Sequence, residues 1–211
     1  MGHAYDHQYA ARGQHDLVAL IEGNPLAWLV SGAGEALLHS PVPLRCGYAD
    51  DGCLSHLLGH LALRNPHVAR LREDPEAAAF FLGPQAYVSP SWLDDRTQAP
   101  TWNYCAAGFR LRVELHDDPA SIRDELAALV AQTEAGRPKA WQLAEMGERY
   151  ERLAAHVVAF RAEIIAVQAT FKLGQDERPV DYAQIVQGLE AEREDSLVAW
   201  MRRFNLRSEA E

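Results

Sequence analysis

Thr101 to Leu115 reads as one long strand, and within it apolar Phe109, Leu111, Val113 and Leu115 alternate with charged Arg110, Arg112 and Glu114. A period of two is that of a strand with one face on a core and one in water. Such a strand needs neighbours, because one or two strands alone do not hold in water. The preceding residues supply them. Leu26 to Ser31, Ala36 to Cys46 and Cys53 to His60 read as strands, punctuated by Gly32-Ala33-Gly34-Glu35 and Asp50-Asp51-Gly52. Pro41 and Pro43 restrict the second of these to an edge or a bulge. Ala78 to Leu82 and Ala86 to Ser89 read as short strands around Gly83-Pro84, and Val157 to Val167 as a returning strand.

Helices concentrate after this sheet. Asp118-Pro119 opens an amphipathic segment with Ile122, Leu126, Leu129 and Val130 on one face, and Gly136 ends it. Further helices are expected over Ala144 to Ala155, Pro179 to Glu190 and Ser196 to Phe204, with shorter ones at Asp16 to Glu22 and from Asn65-Pro66 to Arg72. Strands first, helices later and one strand returning is an α+β order, not βαβ. Six or seven short strands bent at Pro and Gly favour a barrel. The expected organisation is an irregular arm over 1–14 and a single domain over 15–211. Its barrel core would lie at 26–118 and 157–173, its helices at 119–155 and 178–205. In the arm, His3 and His7 have metal-ligand spacing, but a terminal polar segment is more simply unstructured.

Twenty basic against thirty acidic side chains give a net charge of −10 over 211 residues. That balance repels a phosphate backbone unless cations cluster, and Arg70/Arg72, Arg110/Arg112 and Arg202/Arg203 are only pairs. DNA binding is disfavoured on charge grounds. No apolar run approaches the roughly 18 residues of a membrane span. Cys46, Cys53 and Cys105 are odd in number and form no C-x-x-C. Free thiols and no secretory leader make the cytoplasm the expected location. There is no G-x-G-x-x-G, P-loop, G-x-S-x-G or H-E-x-x-H.

Three stretches carry possible chemistry. Gly59 to His67 runs from a strand into a helix capped by Asn65, with Arg64 alongside, a recipe for binding a phosphate monoester. His56 and His60 share a face there, as structural histidines or as ligands to a metal or haem. Gly83 to Trp92 and Pro100 to Tyr104 gather Trp, Tyr, Ser, Thr and Asn, which suit a flat polar ligand or a packed barrel corner. Phe171 to Arg178 contains Lys172, one of only two lysines, whose ammonium suits a phosphate.

In order, these stretches read Gly59-His60-Leu61-Ala62 with Asn65-Pro66, Gly83-Pro84, Tyr87 to Trp92, Pro100 to Tyr104, and Lys172-Leu173-Gly174-Gln175-Asp176. So arranged, the chain resembles the PaiB-type family of FMN-binding proteins, described as negative transcriptional regulators. The resemblance implies a split β-barrel with flanking helices and a helical C-terminal part, forming a homodimer with FMN between subunits. It implies cofactor contacts from His60, Arg64 and Asn65 at the phosphate. Ser89, Ser91, Trp92, Thr101, Trp102 and Asn103 would line the ring or dimer groove, and Lys172 and Gln175 would close the site. The family's S-H-L-P is Ser40-Pro41-Val42-Pro43 here, its S-Q-N is Gly174-Gln175-Asp176, and its basic residue two before Lys172 is Thr170. Ala4-Tyr5-Asp6-His7 replaces the aromatic-Val/Ile-Pro opening. A neighbouring branch resembles haem-dependent piperazate synthases, and haem b would take His60 or His56 as axial ligand. The expected roles are a flavin-dependent oxidoreductase, or a small-molecule sensor and transcriptional regulator without turnover.

Overall fold

A computed structural model describes residues 7–205. Its strands are β1 (Leu26–Ser31), β2 (Leu38–Pro43), β3 (Arg45–Tyr48), β4 (Leu54–Ala62), β5 (Glu76–Val88), β6 (Thr101–His116) and β7 (Val157–Lys172). They form one sheet in the order β2-β1-β5-β6-β7-β4-β3. The helices are α1 (Gln14–Gly23), α2 (Pro66–Glu73), α3 (Pro119–Glu134), α4 (Arg149–Ala154), α5 (Pro179–Ala191) and α6 (Asp195–Phe204). Of the expected arm, the described part holds a single 3-10 turn, His7–Tyr9; His3 lies outside the described residues.

Four elements differ from the sequence reading. The strand expected over 36–46 is two strands, broken at Leu44, whose amide bonds to the Pro25 carbonyl. β2 pairs with β1 and β3 pairs with β4, so this one stretch lies at both ends of the strand order. The two short strands around Gly83-Pro84 are one strand, β5. β1 pairs only with Ala77 to Phe80, so Pro84 falls beyond that ladder, where a missing N–H is tolerated. The helix expected over 144–155 is a 3-10 turn, Leu143–Met146, followed by α4; Gly147 at φ +54° interrupts it. β7 extends past Val167, so Lys172 ends the strand instead of following it.

The chain packs as two compact units, through both of which β5, β6 and β7 run. One comprises residues 21–81 and 108–167. Its core includes Leu29, Leu44, Leu57, Phe81, Phe109, Leu111 and Phe160, with Phe81 and Phe109 edge to face at 5.6 Å. Gly59 is required there, since a Cβ would strike Phe160, Leu44 and the Pro43 carbonyl. The other comprises, among the described residues, 7–20, 82–107 and 168–205. Its core joins Phe171 and Leu173 to α5 and α6 through Ile185, Leu189, Leu197, Met201 and Phe204. Phe171 and Phe204 stack at 5.0 Å. Leu197, Trp200, Met201 and Phe204 line one side of α6 and form the seam of this unit.

Candidate functional site

In the unit of residues 21–81 and 108–167, Asn65 caps α2 as its sequence implied. Its side-chain oxygen accepts from the His67 amide at 3.0 Å, and Pro66 has no amide hydrogen to offer. The helix start therefore consumes its own donor, leaving less for a phosphate than the motif suggested. The Asn65 amide group reaches Ser40 Oγ at 3.3 Å. Behind it, His67 is buried and shares a hydrogen bond with Ser31 Oγ at 2.8 Å. Burial, with His39 adding to it, pushes the His67 imidazole pKa down.

His60 and His56 lie on β4 on the face covered by α3. Glu125 of α3 is buried at 6 % exposure and pairs with Arg45 of β3 at 2.5 Å. Its second oxygen has no hydrogen-bond partner among the described residues and lies 3.9 Å from His60 Nδ1, which is likewise unpaired. A buried carboxylate thus stands near the ring of a partly open histidine without hydrogen-bonding to it. Neither Glu125 nor Arg45 was among the expected site residues. The available signal was an acidic side chain inside the apolar arc of Ile122, Leu126 and Leu129. His56 is enclosed, bonded to Ser55 Oγ at 2.8 Å, with Gly47 against its ring. Burial and then Arg161 lower its pKa. Arg64 is exposed and has no hydrogen-bond or ion-pair partner among the described residues.

In the other unit, Lys172 Nζ donates to Thr101 Oγ1 at 2.8 Å, joining the end of β7 to the start of β6. An ammonium has three donors, so capacity remains for an anion. Gln175 is spent on its own turn: its oxygen accepts from the Leu173 amide at 2.7 Å and its nitrogen donates to the Phe171 carbonyl at 2.5 Å. Thr101, Trp102 and Asn103 do not share a face, because β6 alternates. Asn103 is buried toward Met201, at 3.7 Å from its sulfur, and its side-chain oxygen is buried without a partner. Trp102 points the other way, half exposed, edge to face with Tyr87 at 5.8 Å and donating to Gln85. Ser89 and Ser91 bond each other at 2.7 Å. Trp92 packs on α5 where Gly188 leaves room for its ring. The loop after it is held by Gln184 to Asp94 at 2.6 Å and by Arg178 to Asp95 and Asp181.

Lys172 and Thr101 present donors that suit the phosphate of a flavin mononucleotide. Residues 5–166 match the family described as "Putative FMN-binding domain". The chain belongs to this FMN-binding family. Among its relatives, protease synthase and sporulation protein PAI 2 of Bacillus subtilis is 27 % identical over 139 residues. That alignment covers 65 % of this chain and 66 % of the Bacillus protein, just under two thirds of its length. An uncharacterized protein of Emericella nidulans, AN0679, is 27 % identical over 213 residues, covering 82 % of this chain and 85 % of that one. Among solved structures, the conserved hypothetical protein Rv2991 of Mycobacterium tuberculosis superposes with a TM-score of 0.58 at 9 % identity, covering 84 % of this chain and 94 % of that one. The FAD and heme binding protein of Mycobacterium smegmatis gives 0.55 at 19 % identity, covering 82 % and 78 %. At such identities the likeness is one of fold, the α+β split barrel expected from the sequence. FMN is the cofactor for which the family is named. The family match contains His60, Asn65 and the Ser89 to Asn103 stretch, whereas Lys172 and Gln175 lie beyond it.

Proposed function

We propose that this protein is a noncovalent FMN-binding flavoprotein that holds the flavin phosphate on Lys172 and Thr101. The ammonium standing 2.8 Å from the Thr101 hydroxyl is the observation that carries this reading. Paired donors of this kind suit a phosphate dianion better than a single lysine does. The Ser89–Ser91 pair and Trp92 would form the wall beside the ring, steadied by α5. Bound FMN supplies reversible hydride or electron transfer, and the protein's part is orientation and exclusion of water. If turnover occurs, the protein is a flavin-dependent oxidoreductase; a sensing role in transcription would use the same site without turnover. The net charge of −10 argues against direct contact with DNA.

The reading includes a homodimer in the cytoplasm. Its support is an exposed apolar stripe, where Trp28 at 52 % and Phe80 at 50 % face each other across β1 and β5, with Leu26 at 64 % beside them. Exposed patches of this kind commonly mark interfaces.

The test is the absorbance of purified protein before and after adding FMN. Bands near roughly 370 and 450 nm that survive desalting are expected. Lys172→Ala should weaken FMN retention about tenfold or more, the scale of one charge-assisted phosphate contact. Equal retention by Lys172→Ala would sink the placement on Lys172. A monomer by light scattering would remove the dimer. Haem b is the second reading, favoured by a partly open His60 on β4 with Glu125 3.9 Å from its Nδ1. A sharp band near about 400 nm, lost in His60→Ala, would select it.

A further inference from the structure

The unit of residues 21–81 and 108–167 carries a recess that the flavin reading does not use. It lies where the turn after β4 meets the start of β7 and the α3–α4 pair. Leu63, Ile122, Tyr150 and Val157 line an apolar part of about 300 Å³. Leu63 and Val157 are shared with an adjoining part of about 520 Å³, which also takes in Arg64 and His156. On the α3–α4 side a separate recess of about 380 Å³ is lined by Ala127, Leu143 and Tyr150. These volumes lie in the range of small-molecule sites, about 300–1,000 Å³.

Its charge is uneven in a way that selects a ligand. Two carboxylates border the apolar part, and both are already paired. Asp117 takes two hydrogen bonds from Arg72, at 2.8 and 3.0 Å, and Glu151 pairs with Arg123 at 3.4 Å. At the other end, Arg64 has no partner among the described residues, and its turn is fixed by Leu63 N to His156 O at 2.9 Å and Asn65 N to Ala62 O at 2.8 Å. The backbone therefore brings Arg64, whose guanidinium has no partner among the described residues, and His156 to one end of the recess. A guanidinium fork matches a carboxylate in shape and charge. Leu63, 41 % exposed, is the apolar step between head and channel.

We infer that this recess binds a soluble amphiphilic carboxylate, its head on Arg64 and His156 and its alkyl or aryl tail along Leu63, Val157, Ile122 and Tyr150. The site stands apart from the flavin reading and survives its failure. The occupant is a monomeric small molecule; attachment to a lipid surface is an alternative that the test rejects or selects.

The experiment titrates sodium octanoate into the full-length, nitrogen-15-labelled protein and follows the amide resonances. Saturable shifts confined to Leu63, Arg64, His156, Val157 and their neighbours are expected. Hexanoate, octanoate and decanoate should bind progressively tighter, by about threefold per added methylene. Octanamide should bind at least about fivefold more weakly than octanoate, and the double variant Arg64→Gln/His156→Gln about tenfold more weakly. Leu63→Asp should abolish binding while leaving the spectrum dispersed, since the side chain is exposed. The inference is overturned by shifts that do not saturate, by affinities blind to charge or chain length, or by binding only to anionic vesicles. Release of bound flavin by octanoate would also overturn it, because the recess would then belong to the cofactor.

Discussion

Gly188 on α5 is small because Trp92 lies against it, and a Cβ there would enter the indole ring. Gly188→Ala should therefore cost about 1–3 kcal/mol of stability and loosen the Ser89 to Trp92 turn, measurable as a lower urea midpoint. The cysteines differ for an equally local reason. Burial holds the Cys105 thiol up at about 12 and the Cys46 thiol at about 11, while Cys53 is exposed. A thiol reagent at pH 8 should label Cys53 in the folded protein and the other two only on unfolding. The raised pair has a second consequence. In the unfolded chain these thiols ionise at their ordinary value of 9.0, so their contribution to stability is complete below that pH. It is lost as pH rises toward 11 and 12. The histidines act at the other end. His56 and His67 are held below 6.5, so their contribution is present above that pH and lost as pH falls beneath it. Thermal melts across pH 5 to 10 should show both shoulders; a flat profile would contradict the burial of these four side chains.

At the scale of the element, two contacts anchor helices to the sheet. Asn65→Ala removes the cap of α2 and should cost about 1 kcal/mol. Glu125→Ala leaves Arg45 buried without its partner and should cost about 3–5 kcal/mol, whereas replacing both by leucine should be far milder. Denaturant melts of the three variants decide this. The Asn-Pro cap was legible because every group it uses lies within three positions. β6 was legible because alternation is a local pattern. Glu125 was not, since its burial depends on Arg45, eighty positions away. The continuity of β5 was hidden for the same kind of reason: Pro84 breaks a strand only where a neighbour needs its N–H, and where β1 ends is not written near Pro84. In the site, Lys172 was recognisable by its scarcity, and its contact with Thr101 comes from pairing of distant strands. Gln175 looked like a ligand and turned out to bind its own backbone, a use that polar residues after a strand share with true ligands.

For the whole molecule, the path of residues 38–48 matters most. One stretch pairs with β1 through its first half and with β4 through its second, so the two outermost strands of the sheet are consecutive in the chain. A sheet whose outer strands lie far apart leaves two long rows of unpaired amides, each a template for another chain. Here the outermost strands are short, and β2 carries Pro41 and Pro43, which have no amide hydrogen to lend. The arrangement guards the protein against strand-by-strand aggregation, independently of how stable it is. Pro41→Val with Pro43→Val should raise strand propensity and leave the fold intact, yet speed the growth of thioflavin-positive fibrils on mild heating. The two prolines are then best understood as a safeguard for the unassembled chain, acting while it is crowded among copies of itself.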